Sequence, residues 1–572
     1  MKATRFATAG ALMFVGVLAT PGAPAAPAVP AAADLILQHG DIYTPNGWAH
    51  ALAVEDGVIV AIGEEATVAP FKGAGTKLID LQGAAVLPGF HDMHVHPLGA
   101  GQTQLGCKFA QGSTQQQVLA AIRKCVSTHA KGEWILGGQW DAASLGKVPP
   151  DRKQLDRVSP DNPVALTDIS IHGLWVNSKA LELAGITVAT PNPPGGIIER
   201  RANGEPTGVL RESAGALVRR VIPPFTAEQN AKALSNSLGL MLSYGITSFT
   251  DAAVDESGLQ AYATLADQGV LKQRVVGCLL WGRTLAVGAN DPADFIGRRN
   301  LYARARFSPS CIKMFLDGVP TDGHTAAMVE PYEHVTDIHD VRAKGLLMVP
   351  QKQLNADVTR FDSEGFTIKF HAAGDAAVRA ALDAIEAARK ANGFSGQLHN
   401  VAHNSFVQLD DIRRAPSIAA TFEFSPYIWF PNPIIPDIVE AVGSERMKRW
   451  IPVKDAIDAG ASVIPGSDWA VVPSVNPWIA LETLVTRQKP GGGSDALGEV
   501  EKITLAQAVD MFTVNSARVM RDRNTVGTLE KGLLADLIVL DRNPFKIPVT
   551  EIHDTRVRMT LINGEVVYRA PQ

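Results

Sequence analysis

His94 and His96 stand two residues apart at the end of an apolar run, Ala85-Val86-Leu87-Pro88-Gly89-Phe90-His91-Asp92-Met93. An extended chain sends residues i and i+2 to the same face. The run therefore predicts a strand that presents two imidazoles side by side, an arrangement suited to holding a metal ion. Four further strand-like segments each carry a residue of ligand type. Lys313 lies in Cys311-Ile312-Lys313-Met314-Phe315-Leu316-Asp317-Gly318, and His371 ends Thr367-Ile368-Lys369-Phe370-His371. His403 ends His399-Asn400-Val401-Ala402-His403, and Asp468 ends Ser462-Val463-Ile464-Pro465-Gly466-Ser467-Asp468.

This order, His-x-His, Lys, His, His, Asp, resembles the amidohydrolase superfamily, whose ligands come in sequence from barrel strands one, four, five, six and eight. More narrowly it is similar to amidohydrolase family 3, the subgroup that includes N-substituted formamide deformylases. The resemblance runs from about residue 34 to 568 and rests on several separate blocks. Leu87-Pro88-Gly89-Phe90 leads into the histidine pair, Asp317-Gly318 follows Lys313, Gly374-Asp375 follows His371, and Gly466-Ser467 precedes Asp468. Gly527-Thr528-Leu529-Glu530-Lys531-Gly532-Leu533-Leu534-Ala535-Asp536-Leu537-Ile538-Val539-Leu540 looks like the family's returning strand segment. Ala402 stands where many relatives carry an acid, a departure that bears on a supporting contact and not on the ligand His403.

The resemblance implies that His94 and His96 hold one divalent ion and that His371 and His403 hold a second. Lys313 would bridge the two only as N6-carboxylysine formed with CO₂, because an ammonium donates hydrogen bonds and cannot ligate. A lysine buried in an ion pair, or left unmodified beside a single ion, is the alternative. Imidazole and carboxylate donors favour zinc, with manganese, iron and nickel compatible by ligand type. One or two ions per chain fit the set. Asp468 is implied as both ligand and catalytic residue, taking a proton from a water whose pKa the metal lowers to about 7 and passing it to a leaving nitrogen. The reaction expected is hydrolysis of a carbon–nitrogen bond in an N-substituted amide or formamide. A cyclic amide or lactone hydrolase of the same barrel is the second reading, and a secreted binding protein that has lost catalysis the third.

Substrate contacts are expected from His172, Trp140 and Asp317. A structural hydrogen bond is the alternative for His172, and loop capping for Asp317. Asp92 is expected to orient a ligand or form a turn, and His91 and His399 to pack or support. Phe424, Trp429, Phe430 and Trp469 suggest an apolar pocket mouth, with simple packing as the alternative.

Positioning these residues takes an α/β fold, a (β/α)8 TIM-like barrel over residues 85–520. Further strands are expected at 245–251, 274–280 and 418–424, with helical patterns such as 375–391 and 453–459 between. The interval after the first strand is too long for one helix, so a cap insertion is expected at about 105–225. It carries strands near 134–136 and 163–166 and a hairpin turning at Asn203-Gly204. Short strands at 34–84 and 521–572 predict one small β-sandwich domain made from both chain ends.

The 572 residues exceed one simple domain and carry a formal net charge of −5, which gives no footprint for nucleic acid. Residues 1–33 hold Lys2, Arg5, an apolar run and an Ala/Pro-rich stretch, the pattern of a secretory signal peptide. The run is too short to span a bilayer, which takes about 20 residues, so no membrane span is expected in the mature chain. The expected location is periplasmic or secreted, of bacterial type. Of the 4 cysteines, Cys107 and Cys125 are expected to pair as a disulfide, with free thiols as the alternative. Cys278 and Cys311 are expected as buried free thiols. The partner expected is a small-molecule amide, and a homodimer is open.

Overall fold

The computed structural model describes residues 31–571 apart from 105, 111, 147, 171, 283–291, 322, 336, 338, 341, 426 and 427. The segment read as a signal peptide lies outside the described residues except for 31–33. Among the described residues no helix is long and apolar enough to cross a membrane.

Eight parallel strands form the central sheet: Phe90–Val95, Ile246–Val254, Arg274–Trp281, Phe307–Phe315, Thr367–Ala372, Asn400–His403, Thr421–Phe424 and Ser462–Pro465. The first and eighth close the barrel only where the end of the first meets the turn beyond the eighth: Val95 bridges Trp469 and the Asp468 N–H donates to the His94 carbonyl at 2.7 Å. Helices cover the outside. That at Asp375–Asn392 shows why: Ala377, Val378, Ala381, Leu382, Ala384, Ile385 and Ala388 fall on one buried face, and Gly393 (φ 73°) ends it.

The first strand departs from the expected continuous run. Gly89 breaks it, so that Ala85–Pro88 joins the terminal domain and the barrel begins at Phe90 rather than Ala85. The break needs glycine because a Cβ at residue 89 would lie 2.3 Å from Thr247 Oγ1. The seventh strand is shorter than expected, since Ala415–Ile418 forms a 3-10 turn and Ala419 (φ 51°) turns the chain into Thr421–Phe424.

Both chain ends build two facing sheets. One has four strands, Leu35–Gln38, Ala51–Glu55, Val58–Gly63 and Lys77–Asp80. The other has six, and in it Leu537–Leu540 pairs with Ala85–Pro88 and with Val557–Ile562. Leu37, Leu52, Val86, Leu537 and Leu561 pack in one core between them.

The insertion forms its own mixed sheet of six strands, running from Cys107–Lys108 to the hairpin Gly196–Arg200 and Pro206–Glu212. A Cys107–Cys125 disulfide ties its edge strand to the helix Gln115–Val126. Cys278 and Cys311 are also disulfide-bonded, which corrects the expectation of free thiols. The reason is register: the third and fourth barrel strands place these two residues directly opposite, with Cα atoms 4.1 Å apart.

Candidate active site

The six ligand-type residues converge at the C-terminal ends of the barrel strands and line one cavity of about 990 Å³ beneath the cap. Strand pairing sets their heights. Lys313 lies beside Lys369, His371 beside Ala402, and His403 beside Ala372 and Phe424. Asp468 sits in the turn after the eighth strand with φ 59°, and His403 has φ 77°. Both are non-glycine residues in the left-handed region, a conformation that persists only where surrounding bonds hold it.

Around Asp468 they do hold it. Asp92 accepts the N–H groups of His94 at 3.2 Å and Ser467 at 2.9 Å, clamping the first strand to the turn that carries Asp468. Gly466 is part of the same clamp, since a Cβ there would lie 2.3 Å from His94 Cβ.

The side chains meet closely. Asp468 Oδ1 is 3.2 Å from His96 Nε2 and 3.5 Å from His94 Nε2, and Asp468 Oδ2 is 3.8 Å from His403 Nδ1. His94 Nε2 also lies 3.3 Å from Lys313 Nζ. The His371 and His403 ring centroids are 4.3 Å apart.

Two imidazoles have their other nitrogen fixed. His94 Nδ1 bonds to the buried Glu423 carboxylate, which leaves Nε2 as the lone pair facing the cavity. His371 donates from Nε2 to the Gly318 carbonyl at 3.0 Å, which leaves Nδ1 free. Burial, then the Lys313 charge, pushes His94 well below the usual histidine range. Burial does the same to His371 and His403, assisted by neighbouring His172 and His371 respectively. Neutral imidazoles are the ligating form. Burial, with Lys369 nearby, pushes Lys313 down to about 7.

This donor set fits a divalent ion. His94, His96 and Asp468 bring ligand atoms within 4.8 Å of one another, and two of the four imidazoles around the site have tautomers set from behind.

Glu423 and Lys369 were not singled out in the sequence. Glu423 receives the Lys369 ammonium as well as His94, and Lys369 also donates to the Met93 carbonyl at 2.8 Å and to Asn400 Oδ1 at 3.3 Å. The available signal was a charged residue inside each apolar strand, Lys369 two before His371 and Glu423 between Phe422 and Phe424.

The expected substrate contacts separate. His172 lines the cavity, its ring 4.8 Å from that of His371 and its Nδ1 2.7 Å from Glu212 Oε2. Trp140 does not line it. It is 2% exposed inside the cap core, and its Nε1 donates to the Leu166 carbonyl at 3.1 Å. Asp317 is 0% exposed and accepts the N–H groups of Ala327, Ala373 and Gly374 at 2.9, 3.0 and 2.8 Å, so it fastens the loops after the fourth and fifth strands. Of the aromatic residues expected at the mouth, Phe430 lines the cavity. Phe424, Trp429 and Trp469 are buried in the barrel's hydrophobic core, while Trp134, Phe225, Phe315 and Trp450 contribute to the wall. His91 and His399 are buried away from the cavity, His399 bonded to Asp362 at 2.9 Å.

The sequence profile described as amidohydrolase family matches residues 77–568. The N-substituted formamide deformylase of Arthrobacter pascens is 26% identical, covering 94% of this chain and 98% of that protein. Protein LONG AFTER FAR-RED 3 of Arabidopsis thaliana is 27% identical, covering 94% and 92%. Among solved structures, an uncharacterized metal-dependent hydrolase from Pyrococcus horikoshii superposes with a TM-score of 0.70 at 25% identity, covering 90% of this chain and 99% of that one.

Proposed function

Because this chain belongs to the amidohydrolase family, a family of metal-dependent hydrolases acting on carbon–nitrogen bonds, we propose that it hydrolyses an N-substituted amide, with formamides the leading class. The observation that carries the reading is the convergence of His94, His96, Lys313, His371, His403 and Asp468 on the floor of one cavity. The formamide preference draws on the relative from Arthrobacter pascens, whose name specifies that substrate.

The histidines and Asp468 would hold one or two divalent ions, zinc by the balance of nitrogen and oxygen donors. When bound, such an ion activates water and polarises the substrate carbonyl. Lys313 would join the set as N6-carboxylysine, which replaces an ammonium unable to ligate with a carboxylate oxygen donor; its Nζ lies 3.3 Å from His94 Nε2, on the side where that imidazole presents its lone pair. Asp468 takes one proton from the attacking water while the water oxygen bonds to the carbonyl carbon. As the carbon–nitrogen bond breaks, Asp468 returns that proton to the leaving amine. His94 is kept in the correct tautomer throughout by Glu423. The expected setting is outside the cytoplasm, by way of residues 1–33.

The test joins metal analysis to turnover of N-aryl and N-alkyl formamides, acetamides and cyclic imides, before and after chelation. Chelator-sensitive turnover of open-chain amides, formamides foremost, supports the reading. Turnover confined to cyclic substrates, or none by metal-loaded protein, overturns it.

A further inference from the structure

One guanidinium in the cavity wall has no part in the barrel chemistry. Arg219 ends the short cap helix Ala216–Arg219 and lines the cavity together with Trp134, Leu136, Leu174, Ile222 and Phe225. The acids nearest in charge are already engaged. Asp168 accepts from Ser170 Oγ at 3.0 Å and faces Arg211 at 3.7 Å. Glu212 is bonded to His172 at 2.7 Å and accepts from Thr325 Oγ1 at 2.6 Å. Among the described residues the Arg219 guanidinium makes no hydrogen bond or ion pair. A cation in an apolar wall is unfavourable unless something pairs with it.

The seat for this guanidinium is built. Gly215 has ordinary helical dihedrals, φ −59° and ψ −29°, so the backbone does not demand glycine there. The side chain of Arg219 explains it: a Cβ on residue 215 would lie 2.9 Å from Arg219 Nη1 and 3.4 Å from its Cζ. The missing side chain is the space that the guanidinium occupies.

We infer that Arg219 recognises a carboxylate on the substrate arm that reaches into the cap, while the scissile amide lies over Asp468. The planar fork of a guanidinium matches a carboxylate through two parallel hydrogen bonds. The apolar neighbours strengthen that pairing by excluding water and suit a hydrocarbon segment beside the charge. This rests on the amide-hydrolase reading and narrows the substrate to an amide with an anionic arm.

The experiment compares N-benzoylglycine with N-benzoylglycinamide, which differ in charge and little in shape, by calorimetric titration into Asp468→Asn protein so that neither is consumed. The carboxylate is expected to bind at least about tenfold more tightly. Adding Arg219→Gln should bring the ratio of affinities to about one, and so should Gly215→Ala, which displaces the guanidinium without removing it. A ratio unchanged by Arg219→Gln, or binding of neither ligand at millimolar concentration, overturns the proposal. Wild-type turnover separates the two readings. Amide hydrolysis with an Arg219-independent ratio sinks the anion site alone, and an Arg219-dependent ratio in protein that turns over no amide sinks the hydrolase reading alone.

Discussion

Asp468 is held by its backbone in a strained turn and by its side chain among three histidines, so its oxygens have little freedom to move. Asp468→Asn keeps the shape and one oxygen but cannot accept a proton. Turnover is expected to fall by about 10²–10⁴-fold, the usual contribution of a positioned acid–base group. The thermal midpoint of that variant without metal should stay close to that of metal-free wild type, and near-full activity would remove Asp468 as the base. Glu423 acts through His94 and makes a separate prediction. Glu423→Gln weakens the acceptor that fixes the His94 tautomer, and metal affinity is expected to fall about 10–100-fold. It also leaves Lys369 buried without its counter-charge, a loss of about 3–5 kcal/mol. Metal titration of the folded fraction reads the first effect and chemical denaturation the second. Unchanged affinity would show that Glu423 serves as the counter-charge of Lys369 and does not act on the metal site through His94.

At the scale of elements, the close approach of the first strand to the Gly466-Ser467-Asp468 turn is the most demanding contact in the site. Gly466→Ala puts a methyl 2.3 Å from His94 Cβ and 3.0 Å from its backbone N. Neither can yield without moving the ligand. The variant is expected to lose about 1–3 kcal/mol of stability and most of its bound metal, read by denaturation and metal analysis of the same sample. Retention of both would mean that the turn relaxes freely. The same contacts explain what the sequence could disclose. Apolar runs ending in His96, His371, His403 or Asp468 are local patterns, and their alternation with helices is visible along the chain. Pairing register is not local, so the opposition of Cys278 to Cys311 and the break at Gly89, forced by Thr247, appear only in the fold. Lys369 and Glu423 are not legible in this way, because a charged residue within a strand is compatible with a solvent-facing position and only barrel closure makes that face internal. Trp140 and Asp317 belong to sequence blocks close to the site, yet one fills the cap core and the other ties loops. Proximity in a block does not distinguish support from contact.

For the whole molecule, the barrel's weakest join coincides with its chemistry. Neighbouring strands elsewhere pair along their length, but the first and eighth meet through the Val95–Trp469 bridge and two backbone hydrogen bonds, Asp468 N–H to His94 at 2.7 Å and His96 N–H to Trp469 at 2.6 Å. The donors that cross this join are His94 and His96 on one side and Asp468 on the other. A cation held by them would link the two strands that the ladder leaves least connected, so metal binding should contribute to barrel stability as well as to turnover. Ligand that binds only the folded state adds about 2.7 kcal/mol when present at 100 times its dissociation constant. Chelation is therefore expected to lower the thermal midpoint and to raise amide hydrogen exchange first in residues 90–96 and 462–470, with both effects reversed by zinc. Asp468→Ala, which removes the donor on the far side of the join, should shrink the midpoint shift caused by chelation. An equal shift in that variant would place the stabilising ion among the remaining histidines and away from the seam.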